Sequence, residues 1–464
     1  MHFPLVRLPT TEPVTNTSAT RIFKWFEKIS APESGFDDPS TDRESDEEDN
    51  CSAIGHCTTI VTMGTINVKT TNYTEPLKTM QAHSAGINCL ALSPDQTILA
   101  SGSDDCTIRL WTQCDAQQDY MRCYQILAAH TNYVTSLIFF REKLFSGSAD
   151  RDVRKWDIRT GQCLLVFTGH DDLINIIVCA RNHLFTASND KTAICWDIDT
   201  GKQVVHLKGH THNVNTIACS GLHNDDKDGD IQDNGVHTTN QTNKTNCAPV
   251  DGEQEIANLI RQMGPRECVY TGSADKTAKA WSTRSGKCLL TYRGHSGPIT
   301  QIAVDKNGHI LYTASLDATV RSWFAESAKP QFVFVGHKSE VISLVVAEKM
   351  LYTGSTDRTA RSWLLSNGAL VRIYRGHKRT VNAVEKVDKY VITVSDDGHV
   401  RCFEEKTGSV CHNYGNKMTG GCSAFVTTDQ YVITAGNNGL LVVWPKWVDK
   451  SPDELVAPVP VAEG

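Results

Sequence analysis

The chain has 464 residues, of which 40% are hydrophobic and 21% charged, a globular profile with ample material for a large core. Lys and Arg number 46 against 53 Asp and Glu, and the formal charge of -7 argues against a general nucleic-acid binder, which needs a basic surface. No apolar run reaches the ~18 residues of a membrane-spanning helix, and Met1–Thr10 has no basic flank leading into an apolar stretch, so no secretory signal is expected.

Residues 1–57 stand apart from the rest of the chain. Arg21–Ile29 has the pattern of a short amphipathic helix, with Phe23, Trp25, Phe26 and Ile29 as its apolar set. It is expected to serve as a docking peptide, to lie against the main domain, or to be a disordered stretch. The acidic tract Asp37–Asn50 is expected to be solvated and disordered, and Ser45 before its acidic neighbours fits a phosphorylation site. Residues 58–75 form a linker with room for an extra strand. Pro76–Ala82 reads as a strand standing alone before the periodic part begins.

From there the chain repeats. Trp111, Trp156, Trp196, Trp281, Trp323, Trp363, Phe403 and Trp444 succeed one another at 40 to 45 residues, apart from one gap of 85. Six residues before each aromatic lies an Asp: Asp105, Asp150, Asp190, Asp275, Asp317, Asp357 and Asp397, with Asn438 in the last unit. Four residues earlier comes a hydroxyl: Ser101, Ser146, Thr186, Thr271, Thr313, Thr353, Thr393 and Thr434. Further upstream stands a His, usually after Gly: His83, His130, His170, His210, His295, His337 and His377. Segments between these markers, such as Val134–Phe140 and Leu351–Ser355, are β-branched and aromatic, with Gly, Asn and Asp between them as turn chemistry. One period therefore holds about four antiparallel strands, and the units must stack to bury a continuous core.

These cassettes, with Gly169-His170 and Trp156-Asp157 as signature pairs, resemble the WD40 repeat family over roughly residues 76–444. The order of units, with a large insertion in the fourth, looks like the WD repeat-containing protein 86 group. The resemblance implies an all-β propeller with its domain over residues 76–446. Eight cassettes imply eight blades. The last supplies three strands, so Pro76–Ala82 is expected to pair near Leu440–Trp444 and close the ring, removing open sheet edges. Residues 221–265 form a polar insertion between the first and second strands of blade 4, and residues 447–464 form a tail. The Asp226, Asp228 and Asp230 spacing hints at a calcium loop, but Ile231 stands where Gly is needed and His237 where a bidentate Glu is needed. No metal and no cofactor is expected.

The four repeated residue types have one physical logic. A carboxylate accepts from an imidazole N–H, the imidazole accepts from a hydroxyl, and the hydroxyl accepts from an indole N–H. Ser, His and Asp also make nucleophilic triads. A catalytic site occurs once, however, and these sets recur in seven units. The sixteen Cys are scattered singly without a C-x-x-C pair, as expected of reduced thiols in small apolar sites. N-x-S/T sequons at Asn16, Asn72, Asn240 and Asn243 are read as chance without a secretory signal.

Function is expected at the surface. The resemblance places recognition on the face bearing the His and Asp loops, at the third and fifth residues after each His and the residue before each Asp. The partner-binding set drawn from those positions and their neighbours is Tyr133, Leu173, Asn175, Asn189, Asn213, Asn215, Glu340, Ile342, Arg379, Asn382 and Asp396. Tyr133 is the best anchor, since aromatics dominate hot spots. The other use of Asn at the fifth position is to bond strand ends around the channel. No ring of Arg or Lys is apparent, with Lys378 and Arg379 a lone basic spot. Trp156–Arg159 resembles the W-D-x-R box by which some propellers dock onto a cullin-RING ubiquitin-ligase adaptor, through Asp157 and Arg159. The expectation is a non-enzymatic scaffold that binds proteins or peptides on this face. It binds neither nucleic acid nor membrane, is monomeric by itself, and works in the cytoplasm, with the nucleus as a second compartment. A substrate-receptor subunit of a ubiquitin ligase is the alternative.

Overall fold

In the computed structural model, residues 73–112, 121–219, 268–415 and 421–446 are described. Arg21–Ile29, Asp37–Asn50 with Ser45, the 221–265 insertion with its Asp226–Asp230 spacing, and residues 447–464 all lie outside them. Among the described residues there are 33 strands and no helix. Thirty-two of the strands make eight four-stranded sheets, and the remaining one adds a fifth strand to one sheet.

Blade 3 shows why the sequence folds this way. Its strands are Ile174–Ala180, His183–Ser188, Thr192–Asp197 and Gln203–Lys208, each antiparallel to the next. Leu184–Ser188 is buried on both faces, as expected of a strand packed between two neighbouring sheets, while the outer strand alternates between exposed and buried. Tight turns carry residues with positive φ, such as Lys191 at 72°. The first strands of successive blades contact one another in order around the ring, and the first strand of blade 8 contacts that of blade 1. The result is an eight-bladed β-propeller.

Aromatic pairs join the blades. Phe167 of blade 2 meets Trp196 of blade 3 at 6.0 Å between ring centroids, Tyr292 meets Trp323 at 6.0 Å, and Phe334 meets Trp363 at 5.9 Å. These are near-perpendicular contacts that add to the area they bury. Small residues permit the close approach: a Cβ on Gly272 would stand 2.6 Å from the Ile299 side chain of the next blade.

The ring closes between the two ends of the domain. Blade 8 takes Cys422–Thr427, Tyr431–Gly436 and Leu440–Pro445 from the C-terminal part, and Lys78–Gln81 as its outer strand. Lys78 pairs with Val443 and Gln81 with Leu440, antiparallel. Just upstream, Tyr73–Thr74 runs parallel to Asn413–Tyr414 on the outer strand of blade 7. One short stretch of chain therefore clasps two blades. Cys219 pairs with Val269 across the insertion in blade 4, so the two strand ends there lie side by side.

Candidate functional site

Each His lies in the loop entering the first strand of its blade, and each Asp in the turn between the second and third strands. The fold brings them together. In seven blades the His Nδ1 lies 2.6 to 3.1 Å from the Asp carboxylate. Its Nε2 lies 2.7 to 2.8 Å from the Ser or Thr hydroxyl. In blades 1 to 6 the indole N–H donates to that same hydroxyl at 2.7 to 3.0 Å. An indole can only donate, so the hydroxyl donates onward to Nε2, and the proton on Nδ1 goes to the carboxylate. These hydroxyls are 0% exposed. A nucleophile must reach its substrate, so these sets are staples tying the strands of a blade together.

Further residues complete each staple. The hydroxyl two residues before the Asp, such as Ser103 or Ser188, accepts from the Asp backbone N–H at 3.1 Å and donates to carbonyls of the His loop. Thr two residues after the Asp donates to it at 2.6 Å in blades 1, 3, 4, 5 and 6. The sequence carried this signal in the Ser-x-Asp-x-Thr run, visible as Ser103–Thr107, beside the four residues that mark each cassette. Burial pushes Asp190 upward, but the hydrogen bond and charge of His170 and the bonds from Thr192 outweigh it, and the carboxyl falls to about 2. Burial lowers the pKa of His83, His210, His337 and His377, against the pull of their carboxylates.

Blades 7 and 8 depart from the pattern. In blade 7 Phe403 fills the Trp position, fully buried, and offers no donor. Arg401 enters instead: its Nη1 donates to Asp397 at 3.0 Å and touches His377 Nδ1. Arg361 holds the same strand position in blade 6, with Nη2 3.6 Å from Asp357. Among the described residues, blade 8 keeps the bond from Trp444 to Thr434, at 2.9 Å, and Asn438 accepts from the Leu440 N–H at 3.2 Å.

The face bearing these loops holds a second pattern. Every first strand carries a register shift at the fifth residue after the His position. A bulge re-aims its side chain. Here the bulged residue reaches across to the carbonyl that opens the next blade's first strand. Asn88 donates to Val134, Asn175 to Val214, Asn215 to Ile299, Thr300 to Val341 and Asn382 to Cys422, at 2.7 to 3.1 Å. Ser423 donates to Ile87, closing the belt. Thr135 bonds within its own blade, and Ile342 is apolar at this place.

Of the two uses expected for the fifth-position Asn, Asn175, Asn215 and Asn382 make the bonds between strand ends. Asn175 also donates to Asn189, Asn382 also donates to Asp396, and Asn215 and Ile342 are buried. Asn175, Asn215 and Asn382 thus bond blade to blade, Asn189 and Asp396 accept from Asn175 and Asn382 within their own blades, and Ile342 is buried without a belt bond. Glu340 accepts from Ser339 and Thr356. Tyr133, Leu173 and Asn213 are half-buried, with their carbonyls taken by the turns opposite. Arg379 is exposed. At the Trp156–Arg159 box, Asp157 accepts from Lys143 at 2.6 Å and caps the Arg159–Thr160 turn through two backbone N–H groups. Asp157 therefore shapes the turn, and exposed Arg159 lies 3.5 Å from Glu142.

Six segments match the family model described as WD domain, G-beta repeat: residues 74–112, 121–157, 161–197, 286–323, 328–363 and 368–404. The unmatched units are blade 4, split by its insertion, and blade 8, which lacks the His and Asp. Mitochondrial division protein 1 of Saccharomyces cerevisiae (strain ATCC 204508 / S288c) is 35% identical over 99 residues, 18% of this chain and 14% of that protein. Periodic tryptophan protein 2 of Arabidopsis thaliana is 36% identical over 81 residues, 17% of this chain and 8% of that protein. The chain thus spans only a small part of the length of these curated relatives. The crystal structure of the computationally designed Ika8 protein is similar with a TM-score of 0.63 at 23% identity, covering 80% of this chain and 99% of that one. The comparisons do not confirm a grouping with WD repeat-containing protein 86.

Proposed function

We propose that this chain, a member of the WD40-repeat family of β-propellers, is a non-enzymatic scaffold that holds other proteins or peptides on the face of its His and Asp loops. One observation carries this. The repeated Ser, His and Asp groups are spent on buried staples and the bulge residues on a belt between blades, leaving stiff loops whose outward side chains are free to vary. A rigid platform of this kind loses little conformational entropy when a partner docks. We further place it in the cytoplasm, with the nucleus as a second compartment, and as a monomer by itself. No observation supports a substrate-receptor role in a cullin-RING ubiquitin ligase, and the use of Asp157 in its own turn weakens the docking box. The division role in the name of the yeast relative stays with that protein.

The test is affinity capture with the full chain and with loop variants. Partners are expected to be lost from a Tyr133→Ala, Arg379→Glu double variant whose melting temperature is unchanged. A set of partners indifferent to every change on this face would refute the proposal, and light scattering of the purified chain checks the monomer.

A further inference from the structure

We propose that the loops of blades 6 and 7 on this face form a basic dock for an extended acidic segment of a partner protein. The inference deepens the scaffold proposal and rests on it. Five basic side chains stand exposed there: Lys338 and Arg358 from blade 6, and Arg375, Lys378 and Arg379 from the loop entering blade 7. Among the described residues, none of the five side chains makes a hydrogen bond or an ion pair.

Their backbones, by contrast, are fixed. The Lys338 N–H donates to Asp357 at 3.0 Å and the Lys378 N–H to Asp397 at 2.9 Å. The Arg358 N–H donates to the Ser355 carbonyl, and the Arg379 carbonyl accepts from Ser395 at 3.3 Å. The staples thus fix the loop backbones before a partner arrives, which lowers the ordering cost of binding.

Nearby carboxylates do not cancel these charges. Asp357 and Asp397 have side chains only 5% exposed, and each already faces an arginine beneath the surface, Arg361 or Arg401. Glu340 is held by Ser339 and Thr356, and Asp396 accepts from Asn382. The two arginines neutralise Asp357 and Asp397, while Glu340 and Asp396 keep their charges, so five exposed cations stand above two half-buried carboxylates and the surface keeps a net positive charge. Nor does the repeat require the two lysines, although the Arg358 position is also basic at Arg151, Lys191 and Lys276, and the Arg375 position at Lys208 and Arg293. The residue after the His is Ser84, Thr131, Asp171, Thr211 and Ser296 in the first five blades, and lysine only in blades 6 and 7.

The shape of the charge favours a peptide. Asp171 and Asp172 stand exposed on blade 3 of the same face and repel a polyanion spread across the ring. The five-residue cluster contains no aromatic platform on which bases stack. A short acidic segment crossing two blades meets all five cations and avoids the acidic side.

The experiment uses the full chain and a labelled peptide alternating Glu with Ser, beside its Gln counterpart and a single-stranded RNA. The Glu peptide is expected to bind, the Gln peptide not to bind, and binding is expected to weaken steeply between about 50 and 200 mM salt. Replacing Arg375→Glu, Lys378→Glu and Arg379→Glu together is expected to weaken it at least ~10-fold without moving the melting temperature, since all three are exposed. Arg151→Glu on blade 2 should leave it unchanged. Equal affinity in the triple variant overturns the dock, as does RNA binding tighter than the peptide. A second chain carries amides in place of every carboxylate of residues 37–50. Binding seen only with that chain identifies the protein's own acidic tract as the occupant and overturns the partner assignment. Lost peptide binding with partner capture still dependent on this face overturns the dock alone. Loss of both overturns the scaffold as well.

Discussion

At the scale of single residues, the staples make quantitative expectations. Asp190→Ala removes the acceptor of the backbone N–H groups of Asp171 and Thr192 and of His170, whose buried donor is then stranded. The expected loss is about 1–3 kcal/mol. Asn438→Ala should cost less, because residues 415–421 entering that unit contain no His. Thermal melts of the two variants rank them, and equal losses would contradict the assignment. The acid response comes from the same groups. Burial lowers His83, His210, His337 and His377 below their usual 6.5, so the fold prefers them neutral. Their contribution is complete above about 6.5 and is lost as pH falls through the folded values. Asp105, Asp150 and Asp190, brought to about 2 from 3.8, add a second loss below about 3.8. The melting temperature should fall on acidification in two stages, and a rise between pH 7 and 5 would contradict this. These four-residue sets were plain in the sequence because they recur at fixed spacing. Arg361 and Arg401 were not, since an arginine on a strand looks the same whether it faces solvent or a carboxylate.

At the scale of elements, the bulges were the hidden part. Asn88, Asn175, Asn215 and Asn382 are visible at one repeat position. A one-residue register shift leaves no composition signal, however, and only pairing such as Val214 with Ser273 and Thr216 with Gly272 reveals it. The sequence left both uses of Asn175, Asn215 and Asn382 open, recognition and the bonding of strand ends, and only the three-dimensional pairing shows the second. Lys338, Arg358 and Arg375 were missed for another reason: they lie far apart in the chain and meet only when neighbouring blades stand side by side. The blade 4 insertion gives an element-scale test. Because Cys219 and Val269 are paired, a short turn in place of residues 221–265 has no span to bridge. The shortened chain should stay soluble and melt within a few degrees of the parent. Insolubility would assign the insertion a share of the core.

At the scale of the whole molecule, ring closure depends on one short strap. Residues 73–74 and 78–81 clasp blades 7 and 8, and Ala82 at 0% exposure joins the cluster that includes Ala435, Leu441 and Val443. Deleting residues 1–81 should uncover that cluster, lower the melting temperature sharply and promote aggregation. Deleting residues 1–57 should change little. Matched melts decide, and equal behaviour would show the clasp to be dispensable. The strap also orders events in time. During synthesis each of the first seven blades has its four strands available as soon as they emerge. The outer strand of blade 8 is made before all of them and its three companions after all of them. Its pairing is the most distant in sequence and so among the slowest to form. The earliest strand must wait, unpaired, for the latest, so a chain stalled or cut short before its last blade keeps an open edge by which a cell's quality control can tell it from one whose ring has closed.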